Sequence, residues 1–159
     1  MISIRTLTPR DEPALWEMCY HALYVPEGHP PYPPDIIYQP EISRYVAGWG
    51  RPGDQGVVAF SDTMSTGAAW LRLLTGTERG YAYVDDMTPE LSIAVLPEYR
   101  GKGIGSQLLT RLLGNAKSHF SGICLSVHVD NPARHLYQRF GFEAVKEESS
   151  SVVILKRWE

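Results

Sequence analysis

Gly101, Gly103 and Gly105 fall at alternate positions of Arg100-Gly101-Lys102-Gly103-Ile104-Gly105, between an apolar run, Leu91 to Leu96, and a helix-like run, Ser106 to Lys117. Three glycines where a strand passes into a helix leave backbone N–H groups uncovered by Cβ atoms, so an anion can approach them closely. Arg100 and Lys102 add positive charge at the same place. The stretch reads as a pyrophosphate cradle. Two familiar phosphate loops do not fit it. The loop of nucleotide hydrolases, G-x-x-x-x-G-K-[ST], needs a hydroxyl residue after its lysine to hold magnesium, whereas Gly103 follows Lys102 here. The dinucleotide loop G-x-G-x-x-G needs a different glycine spacing.

The elements around the cradle follow from periodicity. In the run from Glu90 to Leu96, alternation puts Leu91, Ile93 and Val95 on one face and Ser92, Ala94 and Leu96 on the other; Pro97 then ends regular pairing. The helix after the loop carries Ile104, Leu108, Leu112 and Lys117 along one line with Leu109, Leu113, Ala116 and Phe120 alongside, an apolar face from which only Lys117 departs. Ile123 to Val129 alternates again, so strand, helix and strand form a right-handed parallel crossover. Upstream, Ile2 to Leu7 reads as a strand and Ala14 to Leu23 as a helix. Gly56 to Phe60 and Ala68 to Leu74 form a hairpin across a polar turn, Ser61 to Gly67; Phe142 to Lys146 and Ser151 to Arg157 form a closing hairpin. Six prolines between Tyr24 and Pro40 exclude long elements there, before a short helix at Glu41 to Ala47. The aromatics Tyr24, Tyr32, Tyr38 and Trp49 either pack back on the core or wall a site. The loop Thr75 to Thr88, with Asp85 and Asp86, is either solvated or draws a cation.

Composition sets the bounds. A chain of 159 residues, 43% hydrophobic and 21% charged, is one globular domain spanning residues 1–159, able to bury roughly two-thirds of its unfolded surface. A net charge of -3 offers no basic field for nucleic acid. Cys19 and Cys124 have neither metal spacing nor a disulfide framework, which suits a reducing cytoplasm. No apolar run reaches 18 residues and the start lacks a signal core, so no membrane partner is expected.

A second motif spans Asp130 to Phe142. Asn131 is placed as N-cap and Pro132 at the first helical position, Leu136 and Phe140 supply the buried face, and Gly141 ends the helix. With Arg100, Gly103 and Gly105 at the defining positions of [RQ]-x-x-G-x-[GA], the cradle resembles the acyl-CoA motif of the GNAT superfamily of N-acyltransferases. The pattern N-x-x-A-x-x-x-Y-x-x-x-G-F resembles that family's second signature, with Ala133 one position early. The two motifs stand in the family's order and cover Glu90 to Glu143; the likeness extends more loosely over the whole chain.

The resemblance implies an α/β fold: a mixed, mostly antiparallel seven-stranded sheet with helices on both faces and a central splayed parallel strand pair. It implies an N-acetyltransferase moving an acetyl group from acetyl-CoA, as co-substrate, to a primary amine of a small molecule, protein or peptide by direct attack in a ternary complex. A non-catalytic acetyl-CoA sensor or interaction module of the same fold is the alternative. Tyr137 matches the family's general acid and Glu90 its water-assisted base; His128 is a second candidate base or a structural histidine. The N–H groups of Arg100, Gly101, Lys102, Gly103, Ile104, Gly105 and Ser106 would hold the pyrophosphate. The backbone of Ala94, Val95 and Leu96 would pair with pantetheine, Val95 N–H would serve as oxyanion donor, Asn131 would touch the pantetheine arm, and Arg134 would reach a phosphate or stand exposed. Tyr32, Tyr38, Asp85 and Asp86 would wall the acceptor side. No metal is implied, and a homodimer would form through an edge strand or the closing hairpin.

Overall fold

A computed structural model describes residues 1–158. Its strands are β1 (Ile2–Thr6), β2 (Gln55–Ser61), β3 (Met64–Arg72), β4 (Glu90–Val95), β5 (Gly122–His128), β6 (Glu143–Glu147) and β7 (Ser151–Arg157). They form one sheet in the order β1-β2-β3-β4-β5-β7-β6. Every neighbouring pair is antiparallel except β4 and β5. Helices α1 (Glu12–Ala22) and α2 (Pro40–Ser43) contribute to an apolar cluster with Ala68, Trp70, Ala94 and Leu96; α3 (Ile104–Ala116) and α4 (Ala133–Arg139) contribute to another with Ala69, Leu71 and Leu91. Successive strand residues point to opposite faces, so the two clusters place helices on both sides of the sheet.

The starts of β3 and α3 and the buried face of α4 differ from the sequence reading. Strand β3 starts at Met64 rather than Ala68, because the turn is only Asp62 and Thr63, with Asp62 at φ 55°. The segment Met64 to Gly67 looked like loop from its small polar residues, yet Thr66 is buried and donates to the Ala59 carbonyl. Helix α3 begins at Ile104, so Ile104 and Gly105 belong to its first turn. On α4 the buried side chain is Tyr137, while Leu136 and Phe140 are half-buried. That helix sits at the lip of the sheet, with the Tyr137 ring edge-on to Phe142 at 6.1 Å between centroids.

A buried ion pair braces the segment after α2. Arg72, at the end of β3, meets Asp54 through two contacts, Nε to Oδ1 at 3.1 Å and Nη2 to Oδ2 at 2.9 Å. Its Nη1 donates to the carbonyls of Arg44 and Ala47, on either side of Tyr45. Trp49, read as either packing back on the core or walling a site, is buried, with its ring 5.5 Å from the Arg72 guanidinium.

Candidate active site

The β4–β5 ladder is short. Its register contains one pair, Glu90 opposite Cys124, with Cys124 N–H donating to Pro89 O at 3.1 Å. Beyond that pair the strands part. On the other edge of β4, Leu96 N–H donates to Thr66 O at 2.8 Å. Because N–H directions alternate along an antiparallel ladder, Ala94 and Leu96 face β3, while Ile93 and Val95 turn theirs into the gap. Of the three residues expected to pair with a ligand chain, only Val95 therefore offers its N–H to the gap. Its carbonyl already accepts Arg100 Nε at 2.9 Å.

The cradle lies just past this gap. Gly101 and Gly103 adopt φ +77° and +80°, a left-handed backbone that glycine enters without steric cost, and a Cβ at either would meet nothing within 4 Å. No N–H from Gly101 to Ser106 has a partner among the described residues. Arg100 departs from expectation. Its N–H is taken by Pro97 O at 3.3 Å, because the Pro97–Tyr99 turn closes on it, and its side chain is turned toward the Val95 and His21 carbonyls. The open donors thus begin at Gly101. Lys102 extends past Tyr99, its Nζ 5.4 Å from the ring centroid.

Where β4 and β5 separate, a cavity of about 230 Å³ opens. Glu90, Ser92 and Ile93 line it from β4, Leu125 to His128 from β5, Tyr137 from α4, and Tyr24, Tyr45 and Tyr81 from the irregular segments. Glu90 is only 3% exposed. Its Oε1 accepts Tyr45 O–H at 2.8 Å and Ala82 N–H at 3.1 Å, and its Oε2 has no partner within the described residues. Burial raises the carboxyl above the usual carboxylate range, an effect the Tyr45 and Ala82 hydrogen bonds partly offset. Burial likewise holds the Tyr137 phenol well above its ordinary value, so it stays protonated at neutral pH. The Cys19 thiol on the same wall is pushed up to about 12 by burial.

The remaining predicted residues divide. Asn131 reaches the cavity, and its Oδ1 caps α4 by accepting Ala133 N–H at 2.9 Å. His128 also lines the cavity; its Nδ1 accepts Asp130 N–H at 3.0 Å. Arg134 spends its Nη1 on the Val129 carbonyl at 2.8 Å. Tyr32, Tyr38, Asp85 and Asp86 do not line the cavity. Tyr32 is tied to the Tyr24 carbonyl, and Tyr38 leans outward on Trp16 with centroids 5.6 Å apart. Asp85 accepts from Met87 N–H and Thr88 Oγ1 and stands 4.0 Å from the Arg157 guanidinium on β7, and Asp86 accepts the Tyr83 hydroxyl. The tyrosines that line the cavity from the irregular segments are Tyr24, Tyr45 and Tyr81 instead. Tyr24 stood among the aromatics read as core or wall and Tyr81 in the loop read as solvated or cation-drawing, but nothing local marked Tyr45, whose partner Glu90 lies 45 residues on.

Residues 53–144 match the family model described as the acetyltransferase (GNAT) domain, more than half of the chain. The chain belongs to the GNAT family. No curated protein matches it by sequence. Among solved structures it resembles the PaiA N-acetyltransferase of Thermoplasma acidophilum in complex with coenzyme A, at 22% identity and TM-score 0.69, covering 99% of each chain. It also resembles YncA, a putative acetyltransferase of Salmonella typhimurium with acetyl-CoA, at 21% identity and TM-score 0.69, covering 99% of this chain and 94% of that one. A third is the ribosomal-protein-S18-alanine N-acetyltransferase of Escherichia coli, at 18% identity and TM-score 0.68, with 99% and 94% covered. The seven-stranded mixed sheet with its single parallel pair is the fold these GNAT proteins share. Among the described residues no helix is long and apolar enough to cross a membrane, and no group of three or more His, Cys, Asp or Glu side chains could hold a metal ion.

Proposed function

We propose that the protein transfers an acetyl group from acetyl-CoA to a primary amine by direct attack. The observation that carries this reading is the single β4–β5 pair. It opens a gap with Val95 N–H on one edge, free glycine-loop N–H groups beyond it, and Glu90 and Tyr137 on the walls of one cavity. The fit to an acyl-CoA rests on the cradle, where a Cβ at Gly101 or Gly103 would occupy the space an approaching phosphate needs. Acetyl-CoA, when bound, supplies a thioester carbon open to attack by an amine.

The protein's own groups supply the rest. The N–H groups of Gly101 to Ser106, at the start of α3, hold negative phosphate oxygens. Val95 N–H donates to the oxygen that gains charge as the amine adds. An amine is mostly protonated near neutrality, so a proton must leave it, and Glu90 receives that proton directly or through water. Tyr137, kept protonated by burial, gives its proton to the departing thiolate. Cys19 stays a thiol at neutral pH and offers no thiolate for an acyl-enzyme, which favours attack in a ternary complex. The two free, buried cysteines suit a reducing cytoplasm. A homodimer would use the β6 edge, whose five residues are all exposed.

The test follows thiol release from acetyl-CoA over a panel of amines, with the acetylated amine identified by mass spectrometry. Equal amounts of free CoA and acetyl-amine support the reading. Tight acetyl-CoA binding with no release on any amine would instead favour a sensor or interaction module.

A further inference from the structure

We propose that the acceptor is a small primary amine carried on an apolar body with no carboxylate of its own. The inference rests on the acetyl-transfer reading and deepens it, and it starts from one atom. Glu90 Oε2 is buried and lacks a hydrogen-bond donor, while Oε1 is held by Tyr45 and Ala82. A buried carboxylate oxygen without a donor is costly, and a ligand ammonium brought into the cavity would remove that cost. The carboxylate is also wedged in place. A Cβ on Gly80 would collide with both Glu90 oxygens and with the Tyr45 hydroxyl, and Tyr81 N–H holds that hydroxyl at 2.9 Å. The aromatic faces of Tyr24, Tyr45 and Tyr81, with Leu23 and Ile42, suit a cation borne on an apolar stem.

The charges that are missing set the class. Among the described residues no Lys or Arg lines the cavity. Arg44, close in sequence to Tyr45, donates to the Pro40 and Arg79 carbonyls, and Arg79 lies over the Tyr83 ring at 4.1 Å. His128 sits four residues along β5 from Cys124, the partner of Glu90, which is roughly 13 Å at the usual strand rise. An α-amino acid cannot place its ammonium at Glu90 and its carboxylate at His128 together. Bound at Glu90, it would bring a second anion beside the first, where the nearest cation, Arg44, is already engaged by the Pro40 and Arg79 carbonyls. The cavity of about 230 Å³ suits a small acceptor body.

The test pairs phenethylamine with phenylalanine, which differ by one carboxylate, and adds a short peptide with a free N-terminus. Binding to the CoA-loaded protein is measured by calorimetry and acetyl transfer by thiol release. Phenethylamine is expected to exceed phenylalanine at least about a hundredfold in kcat/KM, and Glu90→Gln to weaken its binding about ten- to a hundredfold. Comparable turnover of phenylalanine, preference for the peptide, or phenethylamine binding unaffected by Glu90→Gln would overturn the assignment. So would no detectable phenethylamine binding. Phenethylamine binding that depends on Glu90, without acetyl transfer to any amine, would refute the acetyl-transfer reading alone and leave the amine site standing.

Discussion

Replacing Asp54 with Ala should destabilise the fold and loosen the site together. The Arg72 and Asp54 side chains are 1% and 3% exposed and meet through two charged contacts. Without Asp54 the guanidinium stays buried with no counter-ion, a loss of about 3–5 kcal/mol. The Arg44 and Ala47 carbonyls still accept from Nη1, which favours the lower part of that range. The N–H groups of Gly50 and Arg51 also lose their acceptor, but they lie near the surface where water can replace it. At about 2–4 °C per kcal/mol for a chain of this size, Tm should fall by roughly 6–16 °C. Urea unfolding followed by Trp fluorescence supplies the free energy and scanning calorimetry the Tm. Because the carbonyls that Arg72 grips flank Tyr45, kcat/KM for an amine should also fall. The double variant Arg72→Met with Asp54→Leu should recover most of the stability, since a buried pair replaced by apolar groups is often neutral. A loss below about 1 kcal/mol in Asp54→Ala would refute the reasoning, because the buried arginine would then need no partner.

Three further outcomes are expected. Tyr137→Phe should lower kcat about 10²- to 10⁴-fold while acetyl-CoA affinity stays nearly constant; equal losses in both would assign Tyr137 to packing. Gly103→Glu should abolish measurable acetyl-CoA binding in calorimetry, because it fills and charges the cradle and forces a side chain into the left-handed region. Glu90 should give kcat/KM an acid limb above the ordinary carboxylate range, activity rising as the carboxyl ionises, and Glu90→Gln should remove that limb. Stability should run the other way. The folded pKa of Glu90 lies above its unfolded value, so its contribution is fully present below the unfolded pKa and is lost as pH rises through the folded one. Glu90→Gln should therefore melt higher than the parent at pH 8, with the gap closing toward pH 4, as read by calorimetry.

What the sequence made legible was local. Gly101, Gly103 and Gly105 report a backbone need at their own positions, and Asn131, Pro132 and Gly141 mark the ends of one helix. Alternation from Leu91 to Leu96 assigned the two faces of β4 because one period governs the whole strand. The acceptor side was less legible, since its parts come from segments without a period. Asp85 and Asp86, read as either solvated or a lure for a cation, bond within their own loop, and Asp85 also reaches Arg157. The anion at the cavity is Glu90, which the family resemblance matched to a water-assisted base and which contacts from Tyr45 and Ala82 hold in the interior. One signal went unused. Arg72 stands in the apolar run Trp70-Leu71-Arg72-Leu73-Leu74, and a charge inside a buried strand calls for a counter-ion, which Asp54 supplies 18 residues earlier.

The central claim is that the gap between β4 and β5 holds the thioester end of acetyl-CoA while the glycine loop holds its pyrophosphate. A crystal structure of the protein with acetyl-CoA tests it most directly. The account predicts phosphate oxygens on the N–H groups from Gly101 to Ser106, the acetyl oxygen on Val95 N–H, and the Tyr137 hydroxyl within hydrogen-bond reach of the sulfur. A complex with the pyrophosphate away from the loop, or with Val95 N–H and Tyr137 turned from the thioester, would contradict it.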